Sequence, residues 1–368
     1  MSNSSTILEL NTSAVKNNLQ YFRSLIKKNT DILVVIKAFG YGSDAIEIAN
    51  ILKNDVDYFA VAYAGEGIAL RKAGIKTRIL VLHPQVSNLK DIVKFELEPN
   101  LYNTFILKAF LKLAITSKLK NYPIHLKFNT GLNRLGFKGH EIEFIASKLL
   151  GNKSISIVSI FSHLAASEDI KERKYSLAQI SEFEKIGKEF ERYFGFKPMM
   201  HMTNTSGIIN YPQAHFDMVR LGIGLYGFAN DEKETLKLQN VLSLKSIISQ
   251  INVVEKGESV GYNRAFKAPK YLKTATIPIG HADGISRRLG NGKGYVQIKN
   301  KKALIVGNVC MDMIMVNITD IDCKEGDEVI IFDNQKTVEE LAMKADTISY
   351  EILTAISQRV RRKIVTTE

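Results

Sequence analysis

The stretch Ile32–Ser43, ILVVIKAFGYGS, decides the fold. Its first five residues are apolar and mostly β-branched, and the sixth is Lys37. Such a run reads as a strand buried on both faces, as in a parallel sheet. Ala38, Phe39, Gly40 and Gly42 then break it, and Asp44–Lys53 has a helical pattern. A lysine at the carboxyl end of a buried strand is an expensive placement. Desolvation disfavours the ammonium and suits the amine to Schiff-base formation. The plainer alternative is a lysine whose stem is buried and whose ammonium reaches solvent.

Working outward, the same beat repeats. Apolar strand candidates follow at Tyr58–Ala62, Arg78–Leu82, Glu98–Tyr102, Ile124–Asn129, Ser156–His163, Met199–Thr203 and Met218–Gly222. Helical patterns separate most of them: Gly65–Ala73, Thr104–Leu119, Glu141–Leu150 and Ser176–Phe194, with Ser13–Lys27 ahead of the first strand. Links after the third and seventh strands are weaker. Eight strands alternating with helices predict a (β/α)8 TIM-type barrel over residues 11–238, with an open doubly wound sheet as the competing architecture. Lys37, His163, Asn204 and Arg220 favour the barrel, because each falls at or just past a strand's carboxyl end, and in a barrel those ends converge on one face.

From about Val241 the texture changes to longer alternating runs punctuated by Lys-Gly, Asp-Gly, Asn-Gly and Glu-Gly. These predict a mostly antiparallel β-domain over residues 239–368, which residues 1–10 join through a short strand, TILEL. Two helical segments, Val338–Lys344 and Ile348–Arg359, close the chain.

Composition bounds the rest. The chain has 368 residues, 45% hydrophobic and 24% charged, which fits two globular domains with ample core. The amino terminus lacks the pattern of a signal peptide, no apolar run reaches spanning length, and Cys310 and Cys323 are the only cysteines. Together these point to the cytoplasm. A net charge of +12 invites a nucleic-acid reading. Yet the basic residues are interspersed with acidic ones, and the densest cluster, Arg359–Lys363, reads as solvated surface. Histidine and cysteine spacings match no metal motif.

Several residues could carry chemistry. Tyr41 follows Lys37 in KAFGYG, whose glycines let backbone approach a ligand. Arg134, in KFNTGLNRLG (Lys127–Gly136), could pair with a carboxylate, phosphate or phenolic oxygen, or be an ordinary surface arginine. Arg220 sits inside an apolar strand, where a buried partner is expected. Gly222, Gly224 and Gly227 form G-x-G-x-x-G, weak as a dinucleotide fingerprint but well placed for phosphate after the last barrel strand. Thr205 and Ser206 could add donors there. Tyr262, in GYNRAF, is a proton carrier or a cross-strand packing residue.

Nine segments, in order and spacing, resemble the alanine racemases, pyridoxal-phosphate enzymes of fold type III: VVIKAFGYGSD, KFNTGLNRLG, SHLAASED, HMTNTSG, FDMVRLGIGLYG, VGYNRAF, GHADGISR, VGNVCMDM and ISYEILTAISQRV. The resemblance implies racemisation of L- to D-alanine by two bases, supplying D-alanine for peptidoglycan. Lys37 would hold pyridoxal 5'-phosphate as a Schiff base and serve as one base. Tyr262, from the partner subunit of a homodimer, would be the other. Arg220 would face the pyridine nitrogen, while Tyr41, Thr205, Gly222, Ile223 and Tyr350 would hold the phosphate. Arg134 would meet the phenolic oxygen and the substrate carboxylate, Met311 would bind substrate through its backbone, and His163 and Asn204 would support the cofactor. Lys127 matches a position that some members carbamylate. His281, Asn308 and Asn263 depart from the family's usual tyrosine, arginine and glycine; the first two bear on the polarity of the substrate channel. Rival readings are a racemase of serine or broader specificity, separated by pocket contacts worth about 1–3 kcal/mol, and a non-catalytic cofactor-binding barrel.

Overall fold

A computed structural model describes residues 5–229 and 231–366. Residues 1–4, 367 and 368 of the expected β-domain and residue 230 of the expected barrel domain lie outside these. Strand β1 (Ile7–Asn11) is followed by a closed parallel barrel: β2 (Asp31–Val35), β3 (Tyr58–Val61), β4 (Arg78–Val81), β5 (Glu98–Leu101), β6 (Tyr122–Lys127), β7 (Ile155–Phe161), β8 (Met199–His201) and β9 (Met218–Leu221). Pairing of β2 with β9, Leu33 opposite Arg220, closes the ring. The barrel expectation holds, and each strand falls within a few residues of its predicted place.

Local chemistry explains the helices. Asn103 caps Thr104–Thr116 by accepting from the Ile106 N–H, and Asp44 caps Ala45–Leu52 in the same way. The longest helix, Arg173–Phe194, buries Ile180, Phe183, Ile186, Gly187 and Phe190 and ends at left-handed Gly195. That three-and-four spacing lays one apolar stripe on the barrel wall. The weak link after β4 is a 3-10 turn, Val86–Asn88, running into Leu89–Lys94; the one after β8 is a short helix, Thr205–Asn210.

The rest of the chain builds a nine-stranded sheet in which Leu242–Ile247 pairs with β1, and β1 pairs in parallel with a terminal strand, Arg361–Val365. Other neighbours in this sheet pair antiparallel, giving the mostly antiparallel fold that the turn signals predict.

Two expectations at the carboxyl end need correction. The last helix is only Ser349–Thr354, because the chain leaves it for Asp283: the Ser357 N–H donates to the Asp283 carbonyl and Arg359 pairs with its carboxylate at 2.6 Å. Nor is the basic cluster simply solvated. Arg362 donates to the carbonyls of Gly42, Ile356, Ser357 and Val360, and its guanidinium lies over the Phe39 ring. Among the described residues, no helix is long and apolar enough to cross a membrane.

Candidate active site

Strand β2 ends at Val35, so Lys37 stands just past it, at the start of a tight turn running to Tyr41. Ala38, Phe39 and Gly40 all adopt left-handed backbone, and Tyr41 and Gly42 continue with positive φ. For residues with a Cβ this costs roughly 1–2 kcal/mol each. Surrounding structure holds it: the Ala38 N–H donates to Glu66 at 2.6 Å, and Arg362 grips the Gly42 carbonyl at 2.6 Å. A side chain on Gly42 would meet the Leu353 carbonyl oxygen at 2.2 Å. The strain presents Lys37 at the barrel mouth, half-buried, with its pKa lowered by burial and then by Arg134, against an opposing pull from Glu66.

Arg220, on β9, is 4% exposed. Its guanidinium donates to His201 Nδ1 at 2.8 Å, His163 Nδ1 at 2.9 Å, and the carbonyls of Ser162 and Met202. All four acceptors are neutral, and burial, then Arg134, brings its pKa down to about 9. The His163 ring is pushed far below its ordinary value by burial and by Arg220, which fits an unprotonated Nδ1.

Lys127 ends β6 and is buried, with its pKa lowered to about 7 by burial, then by Arg220, Arg134 and Lys37. The next residues form a closed loop. Asn129 Oδ1 accepts from the Gly131 and Asn133 N–H groups, and Phe137 returns its N–H to the Lys127 carbonyl. This loop holds Arg134, exposed, at the rim. The mouth thus gathers Lys37, Lys127, Arg134 and Arg220, with Glu66 acting against the excess of positive charge at Lys37.

A second cluster lies beyond β8 and β9. Thr205 Oγ1 accepts from the Gly222 and Gly224 N–H groups, so both lone pairs are taken and the hydroxyl hydrogen remains to donate. Tyr41, stacked on Tyr226 at 5.0 Å and 6.1 Å from Tyr350, packs against Gly222, where a Cβ would meet its hydroxyl at 2.8 Å. Burial raises the Tyr41 pKa; burial and then Glu168 raise that of Tyr350 to about 12. Both phenols are therefore donors at neutral pH. Ile223 opens the 3-10 turn that follows Gly222. This donor set, and the cradle a side chain on Gly222 would fill, fit an anionic group such as phosphate. Asn204 is otherwise engaged: its Oδ1 caps Thr205–Asn210 at Gly207 and accepts from Ser167.

Tyr262 and Met311 stand apart from these groups. Tyr262 opens the 3-10 turn between the two strands of a short ribbon, Ser259–Val260 and Phe266–Lys267, and is 72% exposed. Asn263 beside it has φ +58°, a left-handed conformation that asparagine tolerates better than most residues with a Cβ. The Tyr262 carbonyl accepts from Asn308, whose own Oδ1 accepts from Asn291. Met311 is 58% exposed, and its carbonyl accepts from the Ala282 N–H. His281 donates its N–H to the Cys310 carbonyl in the same loop cluster. Three supporting residues escaped the sequence reading: Glu66, Arg362 and His201. The only available signal for His201 was a histidine inside an apolar strand pattern.

A closed parallel barrel with a partly buried lysine, a buried arginine and an anion cradle at its mouth, followed by a mostly antiparallel β-domain, defines a two-domain barrel protein whose site suits an anionic ligand. Residues 10–230 match the model of the alanine racemase N-terminal domain and residues 241–364 that of the alanine racemase C-terminal domain. An alanine racemase of Methanococcus maripaludis is 34% identical, covering 96% of this chain and 97% of its own. The alanine racemase structure from Clostridium difficile 630 superposes with a TM-score of 0.93 at 32% identity, covering 100% of this chain and 97% of its own. One from Bartonella henselae, carrying covalently bound pyridoxal phosphate, reaches 0.88 at 27% identity, over 98% and 100% of the two chains. The chain belongs to the alanine racemase family, and with it to the isomerases.

Proposed function

We propose that the chain interconverts L- and D-alanine with pyridoxal phosphate, supplying D-alanine for peptidoglycan, and that it works as a homodimer. The observation that carries this reading is the partly buried Lys37 amine, its pKa lowered, at a barrel mouth that also holds Arg220, Lys127 and Arg134, with the Tyr41–Thr205–Gly222 cradle beyond the neighbouring strands. Pyridoxal phosphate, when bound, supplies the electron sink that lets an α-proton leave. Lys37 would hold it covalently through Nζ. Arg220 would lie on the side of its ring nitrogen, and Tyr41, Thr205, Gly222, Ile223 and Tyr350 would take its phosphate, with His163 steadying Arg220 and Asn204 shaping the wall.

Racemisation needs one proton removed from one face of the α-carbon and one returned to the other. Lys37 Nζ serves one face. Tyr262 of the partner subunit serves the other through its hydroxyl; its 72% exposure in a single chain fits a residue that reaches into a second copy. Arg134 takes the substrate carboxylate and Met311 supplies a backbone group. The lowered pKa of Lys127 keeps its amine open to carbon dioxide, and the carbamate so formed, with release of one proton, would place a negative charge among the three remaining cations, Lys37, Arg134 and Arg220.

Proton NMR of L-alanine in D2O with purified protein and pyridoxal phosphate, followed by chiral analysis, tests the reaction. Loss of the α-proton signal with D-alanine formed is expected. Exchange without D-alanine would remove the role of Tyr262; no exchange with alanine or serine would overturn the reading.

A further inference from the structure

Behind Arg220 the barrel interior contains an unbroken polar chain. His201 on β8 bonds Ser159 on β7 at 3.0 Å, Ser159 bonds His125 on β6 at 2.7 Å, and His125 bonds Glu98 on β5 at 2.8 Å. Glu98 in turn pairs with Arg78 on β4 through bonds of 2.7 and 3.0 Å. Six successive strands thus contribute one member each, from the site at the carboxyl ends of the strands to Arg78 and Glu98 at the opposite ends of theirs. Ser159, His125 and His201 are fully buried and Glu98 is 5% exposed. Barrel interiors are ordinarily filled with branched apolar side chains. Buried polar groups are tolerated when every member is partnered, and then they hold one another rigidly.

Donor and acceptor counting gives the chain a single polarity. A guanidinium can only donate, so His201 must offer Nδ1 as a lone pair and carry its proton on Nε2. That N–H donates to Ser159, whose one hydroxyl hydrogen goes to His125 Nδ1. His125 then carries its proton on Nε2 and donates it to the Glu98 carboxylate. With both imidazoles neutral, reversing any link would leave two donors or two acceptors face to face. Burial works against an ionised Glu98, but its bonds to His125 and Arg78 outweigh that and keep it charged. The chain therefore ends on the carboxylate that the immediate surroundings of Arg220 lack, and Arg78, half-exposed, ties that carboxylate to the far rim.

We propose that Glu98, His125 and Ser159 are positioning residues that fix the ring of His201, and through it the direction in which Arg220 presents its guanidinium at the barrel mouth. This rests on the reading that Arg220 faces the cofactor's ring nitrogen. No proton moves along the chain; its work is to hold one hydrogen-bond pattern. None of the three is placed to touch substrate or cofactor.

The experiment uses holoenzyme labelled with 15N-histidine, with His201 assigned from the spectrum lost in His201→Gln. In the wild type, with and without pyridoxal phosphate, His201 is expected to show a protonated Nε2 and a bare Nδ1. A proton on Nδ1 would overturn the proposal without any variant having to fold. Glu98→Gln and Ser159→Ala then test the function. Each should lower kcat for alanine about tenfold with KM changed less than about twofold, and raise the fraction of cofactor diverted to its amine form, read by absorbance. Variants that lose thermal stability but keep kcat and this partition would show a structural chain only. Arg220→Lys separates the two readings. If it too leaves the partition unchanged, the assignment of Arg220 fails; if it alone changes the partition, the positioning chain fails.

Discussion

At the scale of single residues, the site turns on how burial handles positive charge. In the proposed mechanism Lys37→Ala removes both the covalent hold on the cofactor and one base, so kcat/KM is expected to fall by about 10³-fold or more. Borohydride reduction of the wild type and peptide mass spectrometry should place the pyridoxyl group on Lys37; a label elsewhere would move the site. Lys127, at about 7, sets a pH signature. The unfolded chain keeps that proton to about pH 10.4. Between those values the unfolded state binds more protons, so stability rises with pH, and below about pH 7 the penalty is present in full. Lys127→Met should therefore be the more stable protein at pH 7, by on the order of 2 kcal/mol, with the difference vanishing toward pH 10. Denaturant titrations in carbonate-free buffer measure it, and a pH-independent difference would show that another group is responsible. These two lysines differed in legibility. Lys37 announced itself by ending an apolar run, whereas Lys127 emerged only from the resemblance, because its isolation depends on residues from other strands.

At the scale of elements, the turn Lys37–Tyr41 depends on pieces distant in sequence. Gly42→Ala would put a Cβ against the Leu353 carbonyl at a positive φ. It should cost about 2–4 kcal/mol and weaken cofactor binding, checked by melting curves with and without pyridoxal phosphate. Arg362→Leu frees the Gly42 carbonyl and leaves other carbonyls short of a donor, with a loss of about 2 kcal/mol or more. Sequence made the glycines of KAFGYG conspicuous. It did not show that Arg362, in a basic run that reads as surface, grips the same turn. A hydrophobic period reports burial of apolar groups, and says nothing about a guanidinium that reaches a carbonyl 320 residues away.

At the scale of the whole molecule, the exposed Tyr262 and Met311 require a second copy if the proposed site is to be complete. Mixed and re-equilibrated, Lys37→Ala and Tyr262→Phe proteins should form hybrids in which one of two sites has both native bases. About a quarter of wild-type activity is then expected from two nearly inactive parents. No recovery, with exchange of subunits verified, would mean that both bases come from one chain.

The barrel was legible because parallel strands buried on both faces write continuous apolar runs, and their carboxyl ends mark where chemistry converges. Lys37, Arg220 and the glycines after β9 stood out because each breaks such a pattern. Tertiary structure alone decided that the last five-residue strand lies beside the first, that Arg362 and Leu353 pack against the Lys37–Gly42 turn, and that Glu98, His125 and Ser159 line up behind His201. A hydrogen bond across a barrel joins residues whose separation in sequence carries no period. Its existence is therefore set by the closed ring of strands and by donor and acceptor counting within it.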